Sequence, residues 1–482
     1  MSAATQACMS GASVRIVDEA VAQGGQIYRA ITRNRLESRP YLGKNFWLGR
    51  TLSDTFEAAA VHYAPRTRVW CLEGAQTTSA HPFAKVGISL AGVARFVEAR
   101  RVILATDAME RPMPVPGWTL PGVLTSGAAQ IALKTAGLVP QGQLVLAGCG
   151  PLLYQLAAQL LKAGTKIDTI LDTAPGLHRR PDALRGLGGF IRSPYALKGL
   201  ALLAKVSLKT RVVKGVTAIA LTGSDKVESV KYTASGVQHQ IAADCLLLHQ
   251  GVIPETHLAR SAGCALSWNE SQKAFAPQLD SQGRSSIRDI LVAGDAAGIG
   301  GAHVAELEGQ AVALNALADL GLIDTCLFEQ RQRQVQISLK KYRRGRRFIN
   351  ALYLPEPQFL IPAIDSTLVC RCEEVTAGTL RQVIELGATG PNQLKTMTRC
   401  GMGPCQGRLC DATITHLLSD SLNISPKHIG SIRIRPPVKP IRLAEIAAMP
   451  FTPTSVFAVT GKWPDGQNSI PERTEVRPST DI

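Results

Sequence analysis

Two dinucleotide-type βαβ folds followed by a small four-cysteine module, an α/β chain overall, are predicted by three stretches of this 482-residue sequence. One is "QLVLAGCGPLLYQLAAQLLKAGTKIDTILD", residues 143–172, where a short apolar run meets a glycine turn, a helical period and a second apolar run. Another is "SIRDILVAGDAAGIGGAHVAELEGQ", residues 286–310, with the same strand, turn and helix logic. The third is Cys370 and Cys372 in "CRCEEVT" with Cys405 and Cys410 in "GMGPCQGRLC", a C-x-C, 32 residues, C-x4-C pattern.

In the first stretch the spacing predicts a strand from Gln143 to Ala147, a helix reaching Ala163 and a second strand ending at Asp172. Gly148 permits the tight turn, and Gly150 lets a pyrophosphate approach the helix N-terminus, where free amides favour an anion. Leu153 replaces the third glycine of G-x-G-x-x-G, so a bound nucleotide and a purely structural βαβ unit both remain open. Asp172 stands where a ribose-binding acid belongs, and Cys149 reads as a small packing residue.

In the second stretch a strand from Ile290 to Ala293 runs into Gly294, Asp295 and a glycine-rich approach, including Gly300, to a long helix. An aspartate at such a strand end can hydrogen-bond the ribityl chain of a flavin while the helix N-terminus faces its phosphate side. An ordinary strand-turn-helix is the alternative.

The N-terminal "ASVRIVDEAVAQGGQIYRA" reads as the second strand of another such unit, ending at Asp18 and Glu19, where a ribose acid belongs. The eleven residues ahead of it, "MSAATQACMSG", make the tail of a helix but hold neither a first strand nor a glycine turn. The sequence is therefore expected to begin inside its own FAD-binding unit, through a start assigned too late or a native shortening.

Composition narrows the class. The length suits two to four domains, and 45% hydrophobic with 5% aromatic residues suits compact α/β structure. The net charge of +16 is scattered except at "KKYRRGRR", residues 340–347, which reads as a solvated linker or a docking patch for an acidic partner or membrane surface. No nucleic-acid motif accompanies it. Eleven cysteines, four of them clustered, argue for a reducing compartment, and no signal-peptide pattern opens the chain. A cytoplasmic protein, at most peripheral to a membrane, is expected. The apolar stretch 144–164 is broken by Gly-Cys-Gly-Pro and two glutamines, so it reads as strand, turn and helix instead of a membrane span.

Four thiolates in tight pairs suit a [2Fe–2S] cluster, and the glycines and proline around Cys405 let backbone amides approach the sulfurs. Zinc is the competing reading, although C-x2-C pairs are its commoner spacing, and unliganded thiols are a third. Cys400 reads as a partly buried bystander, with a spare ligand as the alternative.

Taken in order, "GGQIYRA", "VILATDAMERPMPVPGWTLPGV", the 143–172 turn, "LVAGDAAGIGGAHVAELEGQ" and "CRCEEVT…TRCGMGPCQGRLC" resemble one family over roughly residues 11–440. It is the pyridine-nucleotide-disulfide-reductase-like flavin subunit of bacterial opine oxidases, hydrogen cyanide synthase and proline, hydroxyproline and sarcosine-type dehydrogenases. The cysteine segment is similar to the bacterioferritin-associated-ferredoxin (BFD-like) [2Fe–2S] module. The resemblance implies FAD held by Glu19, Gly25, Gln26, Ala105, Thr106, Gly294, Asp295 and Gly300, and a cluster on Cys370, Cys372, Cys405 and Cys410. Gly148 and Gly150 would hold any nucleotide at the second fold. The resemblance further implies a smaller FAD-dependent amine-oxidase-like partner subunit that oxidises a C–N bond and carries the catalytic residues, with electrons leaving through FAD and iron–sulfur to an acceptor such as the respiratory chain.

Asp107 departs from the pattern, standing where relatives have glycine and bringing bulk and negative charge toward the cofactor. No C-x-x-C or C-x4-C pair sits in the flavin body, which argues against disulfide-reductase chemistry. A flavin-free iron–sulfur carrier or scaffold and an NAD(P)H-dependent reductase are the other readings. The expected domains are 1–110 with 240–330 for FAD, 111–239 for the second dinucleotide-type fold, a basic linker at 331–365, the cluster module at 366–440 and an extended or disordered tail at 441–482.

Overall fold

The computed structural model of the chain describes residues 1–75, 83–450 and 453–462. Its most regular part is a five-stranded parallel sheet in the order Arg211–Lys214, Thr169–Asp172, Leu144–Cys149, Cys245–Gln250 and Val123–Thr125. The three central strands are buried along their whole length, which is why they read as unbroken apolar runs. Alternate side chains feed two cores. Leu144, Leu146 and Ile170 join Leu153, Leu156 and Leu160 of the Pro151–Lys162 helix on one face. Val145, Ala147 and Leu171 meet Ile219, Val230 and Tyr232 of an antiparallel three-stranded sheet on the other. Because Cys245–Gln250 pairs in register with Leu144–Cys149, the second fold runs to Gln250 and not to 239.

The flavin-type domain contains two parallel pairs, Arg15–Val17 with His62–Ala64 and Val102–Leu104 with Ile290–Val292. Among the described residues no strand joins them. The Ser2–Cys8 helix, expected as a helix tail, lies on the long Ala302–Asp319 helix, where Ser2 Oγ donates to the Glu306 carbonyl at 2.7 Å. Gly309 makes that approach possible, since a Cβ there would stand 3.2 Å from Ala3 N.

Residues 331–365 are not a linker. The Thr325–Arg343 helix is capped by Asp324 Oδ1, which accepts from the amides of Cys326 and Leu327, and it buries Val335 and Leu339 against Val304, Ala311 and Leu314. The Arg346–Leu352 helix then packs on Pro181–Ile191, with Phe348 stacked on Phe190 at 4.3 Å between ring centroids. The basic run is thus the polar face of packed helices, and Arg343 pairs with Glu308 at 2.6 Å.

The C-terminal module carries the strands Leu368–Cys370 and Val375–Thr376 and the helices Ala377–Glu385, Pro391–Thr398, Asp411–Leu422 and Pro426–Ile429 around Val369, Leu380, Leu394, Ile414 and Leu417. Its end remains ordered past 440. The Leu443–Ala447 helix buries Glu445 against Ser89 Oγ, and Pro453–Thr460 is helical, so the extended or disordered tail is corrected over these stretches. The rest of the predicted tail, 451–452 and 463–482, lies outside the described residues. No helix among the described residues is long and apolar enough to cross a membrane.

Candidate cofactor sites

Five thiols meet in the C-terminal module. Cys370 ends a strand, Cys372 follows in the turn, Cys405 sits in the glycine-rich loop, and Cys410 caps the Asp411–Leu422 helix. The sulfurs of Cys370, Cys400 and Cys410, all buried, lie within 4.8 Å of one another. Cys372 and Cys405 are hydrogen-bonded to each other beside them. Backbone amides do approach the sulfurs: those of Gly401 and Glu373 reach Cys370, and that of Cys405 reaches Cys372. Gly403 is required by this packing, since a Cβ would stand 2.2 Å from Cys372 Cβ. Hydrogen bonds from Cys400 and Cys410 hold the Cys370 thiol well below its ordinary range and raise those of the two donors, so the three sulfurs share one thiolate. Soft donors gathered in two adjoining groups fit an iron–sulfur cluster. All four predicted cysteines are brought together, and Cys400, expected as a bystander, stands among them.

The flavin-type residues gather around Asp107. Its φ of +67° is the left-handed conformation that glycine adopts freely and aspartate tolerates. Its carboxylate accepts from the amides of Ala108, at 2.9 Å, and Gln26. Burial pushes this carboxyl above the usual range, and the neighbouring Asp295 adds to the effect. Gly25 lies against it, a Cβ there standing 3.8 Å from Asp107 Oδ2, and Thr106 donates to the Glu255 carbonyl at 2.9 Å. Ala105 is exposed at the end of the Val102–Leu104 strand.

Asp295, buried in the Gly294–Ala296 turn, accepts through Oδ1 from the amides of Gly300 at 2.8 Å and Gly301 at 2.9 Å. It thereby fixes the approach to the long helix. Glu19 stands apart, exposed and paired with Lys439 at 2.6 Å and Arg68 at 3.9 Å. Sequence reasoning missed Lys134, whose buried Nζ donates to the Gln26 carbonyl and Gln130 Oε1, both at 3.0 Å, and whose charge partly offsets that of Asp107. A lone lysine in the apolar helical run "SGAAQIALKTA" was its signal.

At the second fold the glycine turn serves the protein's own packing. A Cβ on Gly148 would stand 1.7 Å from the His249 carbonyl oxygen, and one on Gly150 3.2 Å from His249 Nε2. Asp172 is bonded to the Tyr154 hydroxyl and the Ala174 amide. Residues 353–356 lie across the strand ends: Cys149 Sγ donates to the Tyr353 carbonyl at 3.5 Å, and Arg180 holds the Leu354 carbonyl and Glu356.

One junction links the flavin-type domain to the cluster module. The Glu255 amide donates to the Asp107 carbonyl at 3.2 Å. Its carboxylate takes Arg408 Nε at 2.9 Å and His257 Nδ1 at 2.7 Å, while His257 Nε2 bonds the Gln406 carbonyl at 3.1 Å. Arg260 adds a pair with Asp411 at 2.8 Å.

Two domain families match the chain: pyridine nucleotide-disulphide oxidoreductase over residues 1–309 and the BFD-like [2Fe–2S] binding domain over residues 368–420. The A-type subunit of opine oxidase from Rhizobium meliloti is 50% identical over all of this chain and 91% of the relative. The HcnB subunit of hydrogen cyanide synthase from Pseudomonas protegens is 28% identical over 92% of this chain and 94% of its own length. L-proline dehydrogenase from P. horikoshii shares the fold, with a TM-score of 0.67 and 18% identity over 92% of this chain and 76% of that one. The cofactors are FAD and a [2Fe–2S] cluster, for which the gathered thiols and the Asp295 turn are the fitting features. The chain belongs to the pyridine nucleotide-disulphide oxidoreductase family and, within it, to the A-type opine oxidase subunits, oxidoreductase components that join an FAD-type fold to a BFD-like [2Fe–2S] domain.

Proposed function

We propose that this chain is the electron-transferring subunit of a hetero-oligomeric FAD-dependent amino-acid or opine dehydrogenase or oxidase acting on CH–NH or CH–NH2 donors. In this reading a smaller amine-oxidase-like subunit oxidises the C–N bond and carries the catalytic residues, and an acceptor such as the respiratory chain takes the electrons at a cytoplasmic or peripheral membrane location. Cys370, Cys372, Cys405 and Cys410 are the proposed cluster ligands. Gly25, Gln26, Ala105, Thr106, Gly294, Asp295 and Gly300 are the proposed flavin residues, with Glu19 reaching the ribose if Lys439 yields. FAD and the cluster, when bound, supply two-electron and one-electron chemistry respectively.

The chain's own residues do the positioning. Asp295 orders the glycine approach to the long helix, Lys134 and Asp107 balance charge beside Gln26, and Glu255 with His257 and Arg408 seats the cysteine loop against the flavin-type strand end. The observation that carries the reading is this junction, because one residue, Glu255, bonds the Asp107 strand end through its backbone amide and the loop bearing Cys405 through its carboxylate. The 50% identity to the opine oxidase component of Rhizobium meliloti supports the substrate class.

The test is to co-express this chain with a smaller FAD-dependent amine-oxidase-like subunit. Opine- or amino-acid-dependent dye reduction by the pair, with bleaching of the iron–sulfur band, is expected, and neither component alone should turn over. A chain that forms no complex with that subunit, or is reduced by NADH and never by the amine substrate, would overturn the proposal. The occupied strand ends at Asp172 and Tyr353 disfavour the NADH route.

A further inference from the structure

Five thiols converge where a [2Fe–2S] cluster uses four. Cys372 and Cys405 contact each other and are the more accessible, exposed and half-buried respectively, so they form a natural pair for one iron. The other side holds three thiols. Cys370, Cys400 and Cys410 are 1%, 0% and 0% exposed, and their sulfurs lie within 4.8 Å of one another. A tetrahedral metal with bonds of ~2.3 Å sets two thiolate sulfurs roughly 3.8 Å apart. Any two of the three thus come near what one iron needs after its two bridging sulfides.

Cys400 is held in that position by the backbone. Arg399, at φ +62°, ends the Pro391–Thr398 helix in the left-handed conformation and turns the chain inward. The Cys400 amide then donates to Thr398 Oγ1 at 3.2 Å. Gly401, at φ +86°, lies so close that a Cβ would stand 2.7 Å from Ile432 Cδ1 and 3.8 Å from Cys410 Sγ. The side chain belongs to the module's buried core, and its hydrogen-bond neighbours within that core are the thiols of Cys370 and Cys410.

We propose that Cys400 is a reserve ligand for the iron held by Cys370 and Cys410, able to take the place of either. The exchange is redox-neutral: an Fe–S bond to the outgoing cysteine breaks and one to Cys400 forms, Cys400 releases its proton, and the outgoing thiolate takes one up. The proposal rests on the iron–sulfur part of the function proposed above.

The experiment measures iron, acid-labile sulfide and the dithionite-reduced EPR signal in the full chain, purified anaerobically. Wild type should contain about two irons per chain, and Cys405→Ala, on the side without a reserve, should lose the cluster. Cys410→Ala and Cys370→Ala should each keep more than half of the wild-type iron with an altered EPR envelope. The double variants Cys400→Ala/Cys410→Ala and Cys400→Ala/Cys370→Ala should lose it. If Cys410→Ala does not fold, Cys370→Ala carries the same comparison. Cluster loss in the folded single variants as complete as in Cys405→Ala, or retention in the doubles equal to that in the singles, would overturn the reserve-ligand proposal. A wild-type chain that binds zinc, or no metal, would overturn the iron–sulfur reading beneath it.

Discussion

Glu255 Oε2 stands 2.9 Å from Arg408 Nε, and through this contact a residue whose backbone pairs with Asp107 is tied to the loop between Cys405 and Cys410. Burial alone would push the Glu255 carboxyl up, but the hydrogen bonds from His257 and the charge of Arg408 outweigh it and hold the group at about 2, below its ordinary 4.5. A depressed carboxyl contributes stability that is present above its unfolded value and lost as pH falls through the folded one. Glu255→Gln is therefore expected to lower stability at neutral pH by about 2–4 kcal/mol. The gap from wild type should close as pH is lowered from 4.5 toward about 2. Urea denaturation of both proteins across that range checks this, and a gap independent of pH would assign the loss to packing.

Asp107 works in the opposite sense. Burial and Asp295 raise its carboxyl, so its folded form holds a proton more readily than the unfolded chain, and stability declines as pH rises from the ordinary carboxylate range through the raised value. Asp107→Gly suits the φ of +67° without strain and removes buried negative charge beside Asp295. It is expected to tighten FAD retention about tenfold, roughly 1.4 kcal/mol, and to remove that part of the pH dependence. Titration of the apoprotein with FAD decides it. Weaker binding in the variant would mean that the bond from the Gln26 amide to Asp107 outweighs the charge.

Much of the arrangement was legible because the signals were local. The run 143–172 fixes strand, turn and helix through the spacing of apolar residues and two glycines, and the observed strands Leu144–Cys149 and Thr169–Asp172 fall where it placed them. The cysteine pattern brought its four thiols together for the same reason. What stayed hidden depended on contacts distant in sequence. Nothing near Cys245 tells that its strand pairs with Leu144 and not with the flavin-type sheet. The basic run 340–347 masked two helices because their burial rests on a few spaced residues, Val335, Leu339 and Phe348, whose partners lie on other elements. Lys134 and Glu255 were illegible because a single polar residue acquires its role only when another segment, here Gln26 or Arg408, arrives beside it.

Asp295 is the clearest test of the flavin-type turn. Its Oδ1 holds two amides, those of Gly300 and Gly301, at the start of the Ala302–Asp319 helix. Asp295→Ala removes a buried acceptor and leaves both amides without this partner, at a cost on the order of 1–3 kcal/mol. FAD retention should fall about 5- to 150-fold, the same energy expressed as affinity. The cluster's visible and EPR signals should persist, since the thiols lie in a separately cored module. Unchanged FAD affinity would place the flavin elsewhere, and simultaneous loss of both chromophores would mean that the turn supports the whole chain.

The second dinucleotide-type fold gives a prediction of no reaction. Arg180 bonds the Leu354 carbonyl and Glu356, drawing residues 353–356 over the ends of the strands that carry Gly148 and Asp172. Asp172 is committed to Tyr154 and the Ala174 amide, so the acid that would hold a ribose is already engaged. NADH and NADPH are accordingly expected to leave the visible spectrum of the cofactor-loaded chain unchanged under anaerobic conditions, while dithionite bleaches it. Arg180→Ala separates the two ways in which this could fail. The variant removes a half-buried pair and a hydrogen bond to the Leu354 carbonyl and should lose about 1–3 kcal/mol of stability. If it remains unreactive toward NADH, the fold itself lacks a productive site. If it alone becomes reducible, residues 353–356 are the barrier; bleaching of the wild type by NADH would show that the segment moves aside and that Gly148 and Gly150 do cradle a nucleotide.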